Sequence, residues 1–267
     1  MDTMIKYPRT FHLRGSRLQP GDDGFGDVPF ATLRGAFLVV EEKIDGANAG
    51  ISFGPGGELR LQSRGHFLHG GPREKQFALL KTWAQCHQSW LWQCLGSRYV
   101  LYGEWLYAKH TVFYDALPHY FMEFDVLDRQ TGQFLSTELR QLMFAGQPIA
   151  AVPVLHAGPL DSLDDLLALI GPSAFKTPAW RERLAAVSAA AGLDPARVAG
   201  ETDRSDLMEG LYIKVESDGQ VVDRYKYVRG DFLQAILDSG SHWHDRPIVP
   251  NQLRDGVDLY GASHEPV

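Results

Sequence analysis

The chain is poor in three features, each of which would have dictated a class. It has two cysteines among 267 residues, Cys86 and Cys94. They lie on one predicted helix, too far apart along it to bridge, so a disulfide-stapled secreted module is excluded and reduced thiols are expected. No apolar run is long enough to span a bilayer. The N-terminal stretch MDTMIKYPRTFHLRG lacks the apolar centre of a secretion leader, so a cytoplasmic protein without a membrane partner is the expectation. Positive charge is also scarce. With 26 Lys and Arg against 33 Asp and Glu, the net charge is −7, which argues against a protein that coats nucleic acid. An enzyme gripping a few phosphates tolerates that balance. The ten histidines lack the acidic or thiol companions of a zinc site.

What is present centres on Lys43, in the run EEKIDGANAGISF at 41–53. AFLVVEE (36–42) reads as a strand rich in β-branched residues. ANAGISF (47–53) reads as a second strand, with Gly46 and Gly50 allowing close backbone approach. A lysine where a strand meets a glycine turn is held rigidly and can point into a pocket. Four further segments follow: YGEW (102–105), FMEFDVLD (121–128), EGLYIKV (209–215) and RYKY (224–227). Each sets charged or aromatic residues into strand-like apolar sequence. Such groups must line a cavity or pair with one another, because lone buried charges are strongly disfavoured.

This ordered set resembles the covalent nucleotidyltransferases, the polynucleotide ligases and capping enzymes, and within them the ATP-dependent RNA ligases of the phage T4 RNA ligase 2 type. The resemblance covers about 36–230. It implies an α+β, ATP-grasp-like nucleotidyltransferase domain of mainly antiparallel sheets flanked by helices. Lys43, Asp45, Asn48 and Lys226 are then the expected catalytic residues. Glu42, Arg64, Glu104, Phe124, Arg224 and Lys226 are expected to bind nucleotide, with Phe124 stacking on adenine. Glu209, Glu104 and the weaker candidate Asp125 are expected to hold Mg²⁺ or Mn²⁺, which one or two carboxylates suffice to bind. Two positions depart from the RNA ligase pattern. Arg224 replaces a lysine, and Asp45 stands where that type often has histidine; aspartate is the choice of DNA ligases and capping enzymes. A minimal DNA ligase and a nucleotide-binding module without joining activity therefore stay open.

The implied reaction starts with the Lys43 amine attacking the α-phosphorus of ATP. An unperturbed lysine titrates near 10.4 and is not nucleophilic at neutral pH. A divalent cation or like-charged neighbours are expected to depress that value, with Lys226 and Arg224 the candidate neighbours. The lysyl-AMP then passes AMP to the 5′-phosphate of an RNA end, and a 3′-hydroxyl displaces it. RNA ends are the expected partner, and the acidic balance adds the expectation of a helper protein supplying RNA affinity.

Along the chain, strands are expected over 36–63, 98–105 and 119–128. A helix is expected over 74–95, a loop above the pocket over 109–119, and short helices over 157–207 as an insertion within the same domain. Ser217-Asp218-Gly219 signals a hairpin, and 230–240 reads as a helix. Lys214 reads as a solvated strand residue. The adenylyltransferase domain is placed at 1–230 and a short C-terminal extension at 231–267, too short for an OB-fold.

Overall fold

The computed structural model describes residues 3–18, 24–232 and 247–261. Its strands are β1 (Phe11–His12), β2 (Phe37–Lys43), β3 (Ala47–Phe53), β4 (Leu59–Ser63), β5 (Tyr99–Trp105), β6 (Phe121–Asp128), β7 (Phe134–Leu135), β8 (Ala150–Ala151), β9 (Val154–Gly158), β10 (Gly210–Ser217) and β11 (Gln220–Val228). They form one mostly antiparallel sheet in the order β4-β3-β5-β6-β7-β11-β10-β2-β9. β1 joins β11 and β8 joins β6, both in parallel. The mixed α/β class with a mainly antiparallel sheet agrees with the sequence reading.

The topology explains why the site forms where it does. β2 and β3 are consecutive in the chain, yet they sit in opposite arms of the sheet, β2 beside β10 and β3 between β4 and β5. Ile44-Asp45-Gly46 therefore crosses from one arm to the other. Gly46 is required by close approach, because a Cβ there would lie 2.7 Å from Leu106 Cδ2 and 2.8 Å from the Trp105 carbonyl oxygen. The β10–β11 hairpin turns at Asp218 and Gly219, both with positive φ (52° and 76°), as an Asp-Gly turn matched to strand twist requires.

One face of the β3–β6 arm packs on α1 (Ala78–Cys86) and α2 (Gln88–Leu95), burying Leu80, Trp83, Ala84, Leu91 and Leu95 against Ile51, Phe53, Leu101 and Phe121. The single helix expected over 74–95 is thus a 3₁₀ turn and two helices, broken at His87 (φ −103°, ψ 10°). A helix not anticipated, α3 (Thr137–Met143), is capped by Ser136, whose Oγ accepts from the Leu139 amide. The insertion holds α4 (Leu163–Leu167), α5 (Trp180–Ala190) and α6 (Pro195–Gly200), the first and last capped by Ser162 and Asp194. Trp180, Leu184 and Val198 of this insertion pack on Phe113 of the 109–119 loop.

The helix expected over 230–240 lies, from residue 233 onward, outside the described residues. The described part of the expected C-terminal extension, 247–261, does not stand apart. Val249, Leu253 and Leu259 each join a core cluster of the main body. Among the described residues, no helix is long and apolar enough to cross a membrane.

Candidate active site

A cavity of about 520 Å³ opens where the two arms diverge, within the size range of small-molecule sites. Glu42, Lys43, Asp45, Asn48, Arg64, Glu104, Phe124, Glu209 and Lys226 all line it. They come from six separated stretches of sequence, so the fold gathers most of the expected set into one place.

Lys43 ends β2 opposite Gly210 of β10, and Glu209 is the residue just before that partner. The Lys43 Nζ donates to Glu209 Oε2 at 2.7 Å; Lys43 is 23% exposed and Glu209 2%. Burial works to lower the lysine pKa, but Glu209, with Glu104 and Asp45 beside it, outweighs burial and holds the ammonium above its ordinary value. The expected cationic neighbours therefore do not set this lysine's state. Lys43 is a half-buried cation among carboxylates. The two glutamates are pushed up as well, towards their neutral forms. Burial raises Glu209, and it raises Glu104 to about 8 despite the opposing charge of Lys43. Asn48 sits opposite Glu104 in the β3–β5 register, and its Oδ1 is buried without a hydrogen-bond partner among the described residues. An orphaned acceptor on a cavity wall marks a surface built to face a ligand.

Four expected site residues have partners the sequence did not show: Asp45 and Glu42 line the cavity, and Asp125 and Arg224 do not. The Asp45 carboxylate is fastened rather than free. Its Oδ2 accepts from the Thr111 and Val112 amides at 2.6 and 2.8 Å, and its own amide donates to the Tyr114 hydroxyl at 2.8 Å. It ties the 109–119 loop to the turn that follows Lys43. Glu42 also lines the cavity. Its carboxylate is tied into the insertion, accepting from Ser173 Oγ at 2.5 Å and from the Ala174 amide at 3.4 Å. Asp125 is fully buried away from the cavity, 3.1 Å from Lys214 Nζ and bonded to the Tyr7 hydroxyl, so its charge is already met and it is not available to a metal. Arg224 lies outside the cavity lining, 3.9 Å from Asp125 and stacked 3.8 Å above the Phe134 ring.

Burial raises the Glu42 pKa to about 6, against the partial relief given by Ser173 and Ala174. For a carboxyl whose folded pKa lies above its unfolded value, stability is greatest while it is protonated and falls as pH rises from about 4.5 through 6. A Glu42→Gln protein should lose that decline, gaining about 2 kcal/mol on wild type at pH 7 and nothing at pH 4. Urea unfolding across this range checks it; an unchanged pH slope refutes the assignment.

Two features went unread in the sequence. Lys214, expected in solvent, is fully buried, with Nζ 3.0 Å from Glu41 and 3.1 Å from Asp125. Glu41 also meets Arg140 at 2.7 Å, and Arg140 meets Glu123 at 2.8 Å. The alternation of Glu41 with Lys43, and of Glu123 with Asp125, was the available signal for this network. Tyr7 carried none. It reaches the cavity wall from the N-terminal segment, its ring edge-on to Phe124 at 5.2 Å and its hydroxyl against Asp125 and Tyr212.

Among the described residues, no group of three or more His, Cys, Asp or Glu side chains is arranged to hold a metal unaided. Glu104 and Glu209 nonetheless face one cavity from two strand ends, and two carboxylates suit an ion that takes its remaining oxygens from phosphate and water.

The Lys43–Glu209 pair lies in a cleft between two arms of an antiparallel sheet, and the fold is that of an RNA ligase-type nucleotidyltransferase. The chain belongs to the RNA ligase family, which matches residues 36–228. An RNA ligase from Naegleria gruberi, solved as a lysine-to-alanine mutant with ATP and manganese, is similar over 86% of this chain at 16% identity and a TM-score of 0.52. A lysine-to-methionine mutant of that ligase with AMP and manganese gives 0.54 at the same identity and coverage. At such identity the likeness is one of fold. This chain spans 57% of the length of that ligase. No curated protein matches it by sequence.

Proposed function

We propose that this protein is an ATP-dependent RNA ligase that joins 5′-phosphate and 3′-hydroxyl ends through lysyl-AMP and 5′-adenylylated RNA, in RNA repair. The observation that carries the reading is the Lys43 amine 2.7 Å from Glu209, at the wall of a nucleotide-sized cavity that Glu104, Phe124 and Lys226 also line. In the first step the Lys43 nitrogen bonds to the α-phosphorus of ATP and the bond to pyrophosphate breaks. Glu209 is placed to take the proton the ammonium must lose. The phosphoramidate bond then breaks as an RNA 5′-phosphate oxygen takes the AMP. Attack by a 3′-hydroxyl on that activated phosphate seals the strand and releases AMP.

Phosphoryl transfer depends mainly on positioning and on charges that meet the phosphate oxygens. Lys226 supplies a point charge and Arg64 a guanidinium at the cavity wall. Glu104 and Glu209 would hold magnesium or manganese, which when bound neutralises charge on the reacting phosphates. The ligand-bound Naegleria ligase structures, with ATP or AMP and manganese, support this assignment by analogy of fold. Phe124 offers its ring to the base. With a net charge of −7, the grip on RNA is weak and salt-sensitive, and a helper protein would supply the remainder.

Incubation with α-labelled ATP and magnesium, followed by nicked RNA and nicked DNA duplexes, tests the reading. The expected result is a labelled protein, stable in base and cleaved in acid, that seals the RNA nick faster. Preferential sealing of nicked DNA would favour the minimal DNA ligase that Asp45 first suggested. Absence of any adduct would leave a binding module and overturn the proposal.

A further inference from the structure

The C-terminal segment lies outside the stretch that matches the family, yet it grips the loop over the cavity along most of its length. The Lys109 amide donates to the Val249 carbonyl at 2.8 Å, the Asn251 amide to Tyr107 at 2.9 Å, and the Gln252 amide to Tyr114 at 2.9 Å. The Leu117 amide returns a bond to Gln252 at 3.0 Å, and the Arg254 amide donates to Leu117 at 2.9 Å. Isolated bridges pair Ala108 with Pro250 and Leu117 with Leu253. At the centre Asn251, 1% exposed, spends its whole side chain on this loop. Its Oδ1 accepts from the Tyr114 amide at 2.9 Å and its Nδ2 donates to the Leu106 carbonyl at 2.7 Å.

The same loop holds the turn that carries the nucleophile. Thr111 and Val112 donate to the Asp45 carboxylate, and the Tyr114 hydroxyl accepts from the Asp45 amide. Asp45 is two residues from Lys43. A path of two hydrogen bonds, one buried and one part-buried, thus runs from Asn251 through Tyr114 to Asp45, two residues past the end of β2. We infer that residues 247–254 form a strap that positions the Lys43 turn, with Asn251 and Tyr114 as positioning residues for adenylyl transfer. The catalytic part of this statement rests on the proposed ligase reading; the mechanical part does not.

The physical argument is one of tolerance. The turn crosses between sheet arms and has no strand partner at Ile44 or Asp45, so beside the burial of Ile44 and the close packing at Gly46 it is held by the bonds to Asp45. Misplacing a reacting atom by about 1 Å can cost on the order of 10²-fold in rate. Loosening Asp45 acts on the amine that attacks phosphorus and leaves the base pocket around Phe124 intact.

Two variants test this. Asn251→Ala removes the two side-chain bonds from the strap and leaves its backbone bonds in place; Tyr114→Phe removes only the hydroxyl that receives the Asp45 amide. Hydrogen exchange read at the amides of Asp45, Thr111 and Val112 should quicken about tenfold in either variant, with β5 and β6 unchanged. Unchanged exchange at Asp45 in both variants overturns the strap, whatever the chain catalyses. Single-turnover labelling with ATP should fall about 10–100-fold at saturating nucleotide while the apparent affinity for ATP stays within about threefold. Sealing of pre-adenylylated RNA, which needs no attack by Lys43, should fall much less. A variant that loses both reactions equally points to a general loss of fold and overturns the positioning role. If wild type takes no label while exchange responds as expected, the ligase reading fails and the strap stands.

Discussion

Lys43→Ala protein, incubated with α-labelled ATP and magnesium, should carry no covalent label, at least about 10³-fold below wild type, while unfolding in the same cooperative transition. The amine is the group that bonds to phosphorus, and of the two lysines that line the cavity, Lys43 and Lys226, Lys43 is the one 2.7 Å from Glu209. Charge and nucleophile can be separated. Lys43→Arg keeps a cation between Glu209 and Glu104 but offers a guanidinium that stays protonated, so it should retain the fold and ATP binding yet also take no label. The fold survives Lys43→Ala because burial already favours the protonated forms of Glu104 and Glu209, and both can take up protons when their cation is removed. Substantial labelling of purified Lys43→Ala protein would sink the assignment.

The strand framework was legible because local chemistry dictated it. β-Branched runs ended at glycines, and the Asp218-Gly219 turn needed two residues with positive φ. Lys43 was legible for a related reason: a strand end followed by a glycine turn fixes where a side chain can point. The uses of Asp45, Asp125, Arg224 and Lys214 were not, because each is decided by a partner remote in sequence. Lys214 meets Glu41 across 173 positions, and the Tyr7 hydroxyl meets Asp125 across 118. A one-dimensional pattern shows that a charge in a strand must be paired or facing a cavity; it cannot say which. Asp45 illustrates the limit. The pattern put it in the turn after Lys43, where it is, while its partners are amides on a loop that also holds the distant C-terminal segment. The break at His87 went unread because no proline or glycine marks it.

Lys214→Met should destabilise the protein by about 3–5 kcal/mol, the largest loss expected of any single substitution outside the apolar core. The methionine keeps most of the stem's volume, so the loss is electrostatic rather than a cavity. Lys214 lies between Glu41 and Asp125, both wholly buried, and also donates to the Phe124 carbonyl. Removing the ammonium leaves Asp125 with Arg224 at 3.9 Å and leaves Glu41 dependent on Arg140, which it shares with Glu123. Burial already drives the Glu41 pKa upward against the pull of Lys214 and Arg140, so without Lys214 this carboxyl protonates more readily. The deficit should therefore be largest above neutral pH and shrink towards pH 5, where proton uptake relieves the unpaired charge. Glu41→Gln placed on Lys214→Met should recover part of the loss, because the pair is costly to break on one side and far cheaper to neutralise on both. Because the Phe124 carbonyl is one of the groups released, weaker ATP binding should accompany the lost stability even in protein that stays folded. Denaturant unfolding at pH 5, 7 and 8.5 gives the result directly. A Lys214→Met protein within about 1 kcal/mol of wild type at all three values would show that this buried network does not hold the sheet together behind the cavity.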